Sequence, residues 1–161
     1  MRARRGAAGT SGEARSLMKH CLILASLLTL VGCREVRVKT YAQGTTTALG
    51  GNAVLVVRSH NQLESVRIRA GSVHFSREFG VVLLMGPHRE VGWHQVIESI
   101  RANTSRVRVV AFEQAPVDGA EPSREYRTYT LWIVPNSVYR RGSRIEVVTP
   151  SGDPIAATVL K

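Results

Sequence analysis

The stretch Ser105-Arg106-Val107-Arg108-Val109-Val110-Ala111-Phe112-Glu113 puts Val107, Val109 and Ala111 on one face and Arg106 and Arg108 on the other. A period of two belongs to extended chain with one side in a core and one in water. Trp93 to Ile100 alternates as well, and Ala102-Asn103-Thr104 between the two suits a hairpin loop. Downstream, Tyr126 to Val134 is a long aromatic and β-branched run closed by Pro135-Asn136. Ser143 to Val148 and Ile155 to Leu160 flank Pro150-Ser151-Gly152-Asp153 as another hairpin. Upstream, Ala53 to Arg58 reads as a buried strand, and Phe79 to Met85 is more apolar still, with Gly86-Pro87 expected to stop it. Glu35 to Tyr41 reads as a half-buried first strand and Ser72 to Phe75 as a short extended piece. Gln43 to Asn52 and Ala115 to Arg124 read as loops. Ser59 with Gln62 has the spacing of a capping box, so a short helix is expected over Asn61 to Val66. Seven or eight short strands with one helical turn specify a mainly β fold: a single small β-sandwich or partly open barrel.

The N-terminal fifth of the chain has a different character. Leu22 to Val31 is apolar and uncharged behind Lys19 and His20, too short to span a bilayer but of the size of a secretory h-region. Leu30-Val31-Gly32-Cys33 ends it, and this resembles the bacterial lipobox, with cleavage between Gly32 and Cys33 and acylation of the Cys33 thiol. Residues 1–32 are therefore expected to be a signal peptide, with Met18 the more economical start. Residues 33–52 would form a lipidated N-terminus, first strand and flexible loop, and residues 53–161 a β-rich domain. Cys21 lies inside the removed segment, which leaves Cys33 as the sole mature thiol and excludes a disulfide within the mature chain.

The chain carries 22 Lys and Arg against 12 Asp and Glu; without residues 1–32 the balance is 17 against 11, a net charge of +6. Arg37, Arg58, Arg67, Arg69, Arg101, Arg106, Arg108, Arg127 and Arg144 are scattered singly among Val and Ile, as on the solvent face of strands. A nucleic-acid protein would cluster them with stacking aromatics, so no nucleic-acid partner is expected. No Gly-x-Ser-x-Gly, Gly-x-Gly-x-x-Gly or phosphate-cradling loop with a Lys is present, and the histidines lack paired metal-ligand spacing. The sequence thus implies neither catalysis nor a cofactor or metal. The nearest approach to a metal site is His88, Glu90 and His94 around one loop-to-strand junction. Arg89, Trp93 and His94 are the candidate partner-binding residues of the same turn, and Trp132 is the other tryptophan able to anchor a ligand or fill a core.

The run Val73 to Gly86 resembles the core of the PrcB-type domain, a family named for a subunit of a secreted protease complex. Phe75-Ser76 matches its extended step, Gly86 the end of its apolar strand, and Gly92-Trp93 part of its Thr-Gly-Gly-Tyr-like turn. His74 stands where Asp is usual, and Glu90-Val91 replaces the Thr-Gly. The resemblance spans about Val54 to Pro135. It implies a small, β-rich, non-enzymatic domain, often on lipoproteins and sometimes an accessory to an exported protease.

Together these features set the expectation of a lipid-anchored, non-catalytic binding or accessory protein of the cell envelope. Arg34 beside Cys33, in place of the Asp of an inner-membrane retention signal, favours the outer membrane. Two alternatives belong to other classes: an envelope hydrolase or metal-dependent enzyme using His88, Glu90 and His94, and a structural envelope protein whose Arg-rich face rests on anionic lipid.

Overall fold

The strand that carries Phe79 to Met85 is buried on both faces, and this is why its sequence is continuous instead of alternating. The structure is a computed structural model that describes residues 34–35, 40–71, 73–103, 105–117, 120–137 and 141–161. Among these residues it contains nine strands and one helix: β1 (Arg34–Glu35), β2 (Thr40–Thr46), β3 (Ala53–Val57), α1 (His60–Ser65), β4 (Glu78–Glu90), β5 (His94–Ala102), β6 (Arg106–Gln114), β7 (Pro122–Pro135), β8 (Arg144–Val148) and β9 (Pro154–Val159). They form two sheets, ordered β2-β7-β4-β3 and β1-β5-β6-β8-β9, so the protein is a small β-sandwich. Every pairing is antiparallel except β6 with β8, because the chain leaves β6 for β7 in the other sheet before it returns.

Two apolar clusters follow from this arrangement. Between the sheets, Phe79, Val81, Leu83 and Met85 of β4 and Trp132 of β7 meet Ile100, Val107, Val109, Ala111, Ile145 and Val147 of the opposing sheet. On the other face of the same β4–β7 pair, Val82, Leu84 and Leu131 pack with Val57 beneath Leu63 of α1 and Ile68. α1 is short, so its order comes from its cap and from Leu63, its one buried side chain. Ser59 Oγ accepts from the Gln62 N–H at 3.3 Å, and Gln62 Oε1 in turn accepts from the Arg58 N–H at 2.6 Å.

Gly80 is required by the second cluster. A Cβ there would stand 2.5 Å from Val57 Cγ2 and 3.1 Å from Leu131 Cδ1. Gly80→Ala should therefore cost about 1–3 kcal/mol by overpacking, although alanine suits a strand better than glycine does. Urea denaturation would read this as a lower midpoint, and an unchanged or higher midpoint would mean that the β3–β4 face is loosely packed.

The architecture corrects four readings of the sequence. β4 does not end at Gly86-Pro87 but runs to Glu90, because the β4–β7 register shifts between Met85 and His88. Pro87, which has no N–H to donate, falls in that irregularity. β2 continues to Thr46, well into the stretch read as the Gln43 to Asn52 loop, by pairing with Thr128, Tyr129 and Thr130 of β7. β7 begins at Pro122, inside the stretch read as the Ala115 to Arg124 loop. Finally, Arg127 is not on a solvent face: it is 4 % exposed, on the α1 side of β7. The strand count rises above seven or eight partly because Arg34–Glu35 forms a two-residue strand on Arg101 and Ala102.

Candidate functional site

Beyond the Gly86-Pro87 irregularity, His88 rejoins the β4–β7 ladder opposite Tyr126. Gly86 takes φ 120°, a conformation that side chains rarely adopt, and a Cβ there would lie 3.1 Å from the His88 ring. The irregularity sends the imidazole to the end of β6, where His88 Nε2 lies 2.7 Å from Glu113 Oε1. The same carboxylate oxygen accepts the Thr128 hydroxyl, and Thr128 Oγ1 accepts from Gln95 Nε2 at 3.0 Å. Gln95 also donates to the Leu83 carbonyl at 3.3 Å, while its own Oε1 is buried with no hydrogen-bond partner among the described residues. Four polar side chains from β4, β5, β6 and β7 thus close one end of the sandwich interior.

Aromatic rings cover the histidine. Trp93 stacks on His88, with ring centres 4.5 Å apart and planes 9° from parallel, and Tyr126 leans against His88 at 5.8 Å. The Tyr126 hydroxyl donates to the Glu90 carbonyl at 2.6 Å and accepts from the Trp93 N–H at 3.3 Å, which pins both ends of the β4–β5 turn. Trp93 therefore presents a half-buried ring in a fixed orientation.

The order of the polar groups decides their chemistry. In a nucleophilic triad the imidazole stands between hydroxyl and carboxylate and takes the hydroxyl proton. Here the carboxylate stands in the middle: Glu113 receives the Thr128 hydroxyl from one side and His88 from the other. The Thr128 proton is committed to Glu113, so the arrangement orients the imidazole without activating a nucleophile.

Of the residues that the sequence suggested as a metal site, His88 and Glu90 line one groove, but the two histidines have different partners. His88 is engaged with Glu113, whereas the His94 ring contacts the Gly92 carbonyl at 3.3 Å and Gln114 Oε1 at 3.1 Å. Among the described residues no group of three or more His, Cys, Asp or Glu is placed to hold a metal ion. The candidate partner-binding residues do share one turn. Arg89 is exposed and paired with Glu125 at 3.1 Å, and with Pro87, Glu90 and Trp93 they line a shallow groove. A second groove, on Val91, Gly92, His94, Pro116 and Val117, flanks the turn and carries the exposed apolar side chains Val91 and Val117. Trp132, by contrast, is a core residue. Gly32 and Cys33 lie outside the described residues.

Glu113, Thr128, Gln95 and Arg127 were not singled out as site residues from the sequence. Glu113 did leave a signal: it continues the inward series Val107, Val109, Ala111, a period-two position that a core strand would fill with an apolar residue. Arg127 left none, because Arg at alternate strand positions is ordinary on a solvent face. Its Nη1 donates to the Leu49 carbonyl at 3.1 Å and its Nη2 to the Gly51 carbonyl, and burial pushes its guanidinium pKa below the ordinary value.

Comparison of the chain with protein-family models, with curated proteins and with solved structures finds no match.

Proposed function

We propose that this chain is a lipid-anchored, non-catalytic binding module of the cell envelope, held by acyl chains on Cys33 and meeting its partner through the turn that carries Arg89, Trp93 and His94. The lipobox-like Leu30-Val31-Gly32-Cys33 supports the anchor, and Arg34 after it supports the outer membrane. One observation carries the binding role: Trp93 is stacked on a histidine that Glu113 holds in place, beside a groove with Arg89 at its rim. A rigid aromatic next to an arginine is the usual make-up of an interface hot spot, since little side-chain entropy remains to be lost on binding. The resemblance of Val73 to Gly86 to the PrcB-type core points to an exported protease as the partner.

The anchor and the partner are tested separately. Wild-type chain grown with an alkyne-tagged fatty acid should become labelled and membrane-bound, and Cys33→Ser should do neither. A Cys33→Ser protein that is still processed and membrane-bound would overturn the anchor. Pull-down from detergent-solubilised envelopes should recover an exported protease, and Trp93→Ala should reduce recovery about tenfold or more, the size of a tryptophan hot spot. Equal recovery with both proteins would remove the Trp93 turn from the interface.

A further inference from the structure

Arg127 is the most deeply buried charge among the described residues, and no ion pair among those residues joins it to a carboxylate. It lines a groove between the 47–52 loop and the C-terminal end of α1, together with Gly50, Gly51, Asn52, Ser65 and Arg67. No acidic residue is among the described residues that line this groove, so Arg127 and Arg67 share it without an acidic neighbour in that lining. The two hydrogen bonds that Arg127 makes go to neutral carbonyls of Leu49 and Gly51, and its Nε is buried with no partner among the described residues. A buried cation held by dipoles alone is poorly compensated, because burial removes its hydration and no opposite charge replaces it.

The cover over Arg127 is thin. Leu49 is 82 % exposed, and Gly50, Gly51 and Asn52 are exposed as well, so one loop separates the guanidinium from water. Gly50 takes φ 123°, and a Cβ there would stand 3.2 Å from Arg127 Nη1; glycine keeps that side of the guanidinium clear. The loop is tied at its base: the Thr46 hydroxyl donates to the Val66 carbonyl at 2.6 Å, and Arg67 Nη1 donates to Thr47 Oγ1 at 2.7 Å. Arg67 itself sits at φ 54°, where glycine is the usual residue after a helix, and its side chain lies on the groove wall.

We propose that this groove is an anion site for a phosphoryl group, contacted by Arg127 from below and by Arg67 from the rim. This goes beyond the partner-binding turn, which involves other residues. Two positive charges with no acidic residue among the described lining match a dianionic phosphoryl group better than a single carboxylate. Phosphoryl oxygens would take over the donors now spent on the Leu49 and Gly51 carbonyls, and charge-assisted hydrogen bonds are roughly twice as strong as those to neutral acceptors. The displaced carbonyls belong to an exposed loop and would turn to water, so the exchange leaves neither carbonyl buried without a partner. The same chemistry could be supplied by a soluble phosphate ester or by a lipid phosphomonoester headgroup.

The test uses the full chain in non-ionic detergent, titrated with inorganic phosphate at constant ionic strength while NMR follows the Arg127 Nε–H and the Gly50 and Gly51 amides. These signals should move saturably. Arg67→Ala, at an exposed position, should weaken the response about tenfold or more, as expected for loss of a charged hydrogen-bond partner. Arg127→Met should keep or raise the melting temperature, since it removes an uncompensated buried charge, and should abolish the response. Chain reconstituted in phosphatidate-containing nanodiscs, without added phosphate, identifies the source. If the same signals move there and not in phosphatidylcholine discs, the ligand is a headgroup; if only free phosphate moves them, it is a soluble ester. The proposal is overturned if neither probe shifts these signals saturably, or if Arg67→Ala responds as wild type does.

Discussion

Phe79→Ala should lower the unfolding free energy by about 3–5 kcal/mol, the usual cost of emptying a buried aromatic site. Phe79 is 1 % exposed in the cluster between the sheets, at the start of the strand that both clusters share. The guanidinium of Arg58 lies 5.1 Å from the centre of its ring, so the substitution also removes a cation–π contact. A domain of this size has only about 5–15 kcal/mol to lose. Urea denaturation should show a midpoint shifted far down at unchanged slope, and Phe79→Leu, which keeps most of the volume, should cost less than about 1.5 kcal/mol. A Phe79→Ala protein within about 1 kcal/mol of wild type would mean that the sandwich core does not depend on the entry to β4.

Glu113→Ala should cost about 2–4 kcal/mol, because each of the two groups that converge on the carboxylate loses its partner in a site with little access to water. His88 and Thr128 both meet Glu113 Oε1, and the side chains of His88 and Glu113 are 10 % and 13 % exposed. Glu113→Gln keeps an oxygen in the same place and should recover most of the loss. The emission of Trp93 supplies a local readout: once His88 is released, the ring stacked on it should become more exposed and shift to the red. A Glu113→Ala protein of wild-type stability and unshifted emission would show that the polar cluster does not hold the Trp93 turn.

Much of the sandwich was legible in the sequence because its signals are local. The alternation of Arg106 to Glu113 gave β6, and the Ser59 and Gln62 pair gave α1 to within one residue. The Pro150 to Asp153 hairpin lies between β8 and β9, where the Asp153 N–H and side chain both bond to Thr149 Oγ1. What stayed hidden depends on partners far along the chain. Gly86-Pro87 reads locally as a stop, and only pairing with β7 carries the strand past it. His88 and Glu113 are 25 residues apart, and nothing near either one marks them as a pair. Arg127 looked like any surface arginine until the loop that contributes Leu49 and Gly51, more than 70 residues earlier, was seen folded over it. Of the candidate site, the sequence offered Arg89, Trp93 and His94 as candidate partner-binding residues, while Glu113, Thr128 and Gln95 beneath them were not singled out.

The ladder between β4 and β7 has one more consequence, for the order in which the protein can assemble. It pairs Phe79 with Val134 and Glu90 with Pro122, so the most central strands of one sheet are joined by contacts of long sequence separation. β8 then depends on β6 across the whole of β7. Such a high contact order places folding in the range of roughly milliseconds to seconds, not microseconds. A chain emerging residue by residue, from a ribosome or through a membrane pore, cannot close the two-faced strand until Pro135 has appeared. Until then Val81 to Met85 has only β3 to pair with, and its other edge stays open.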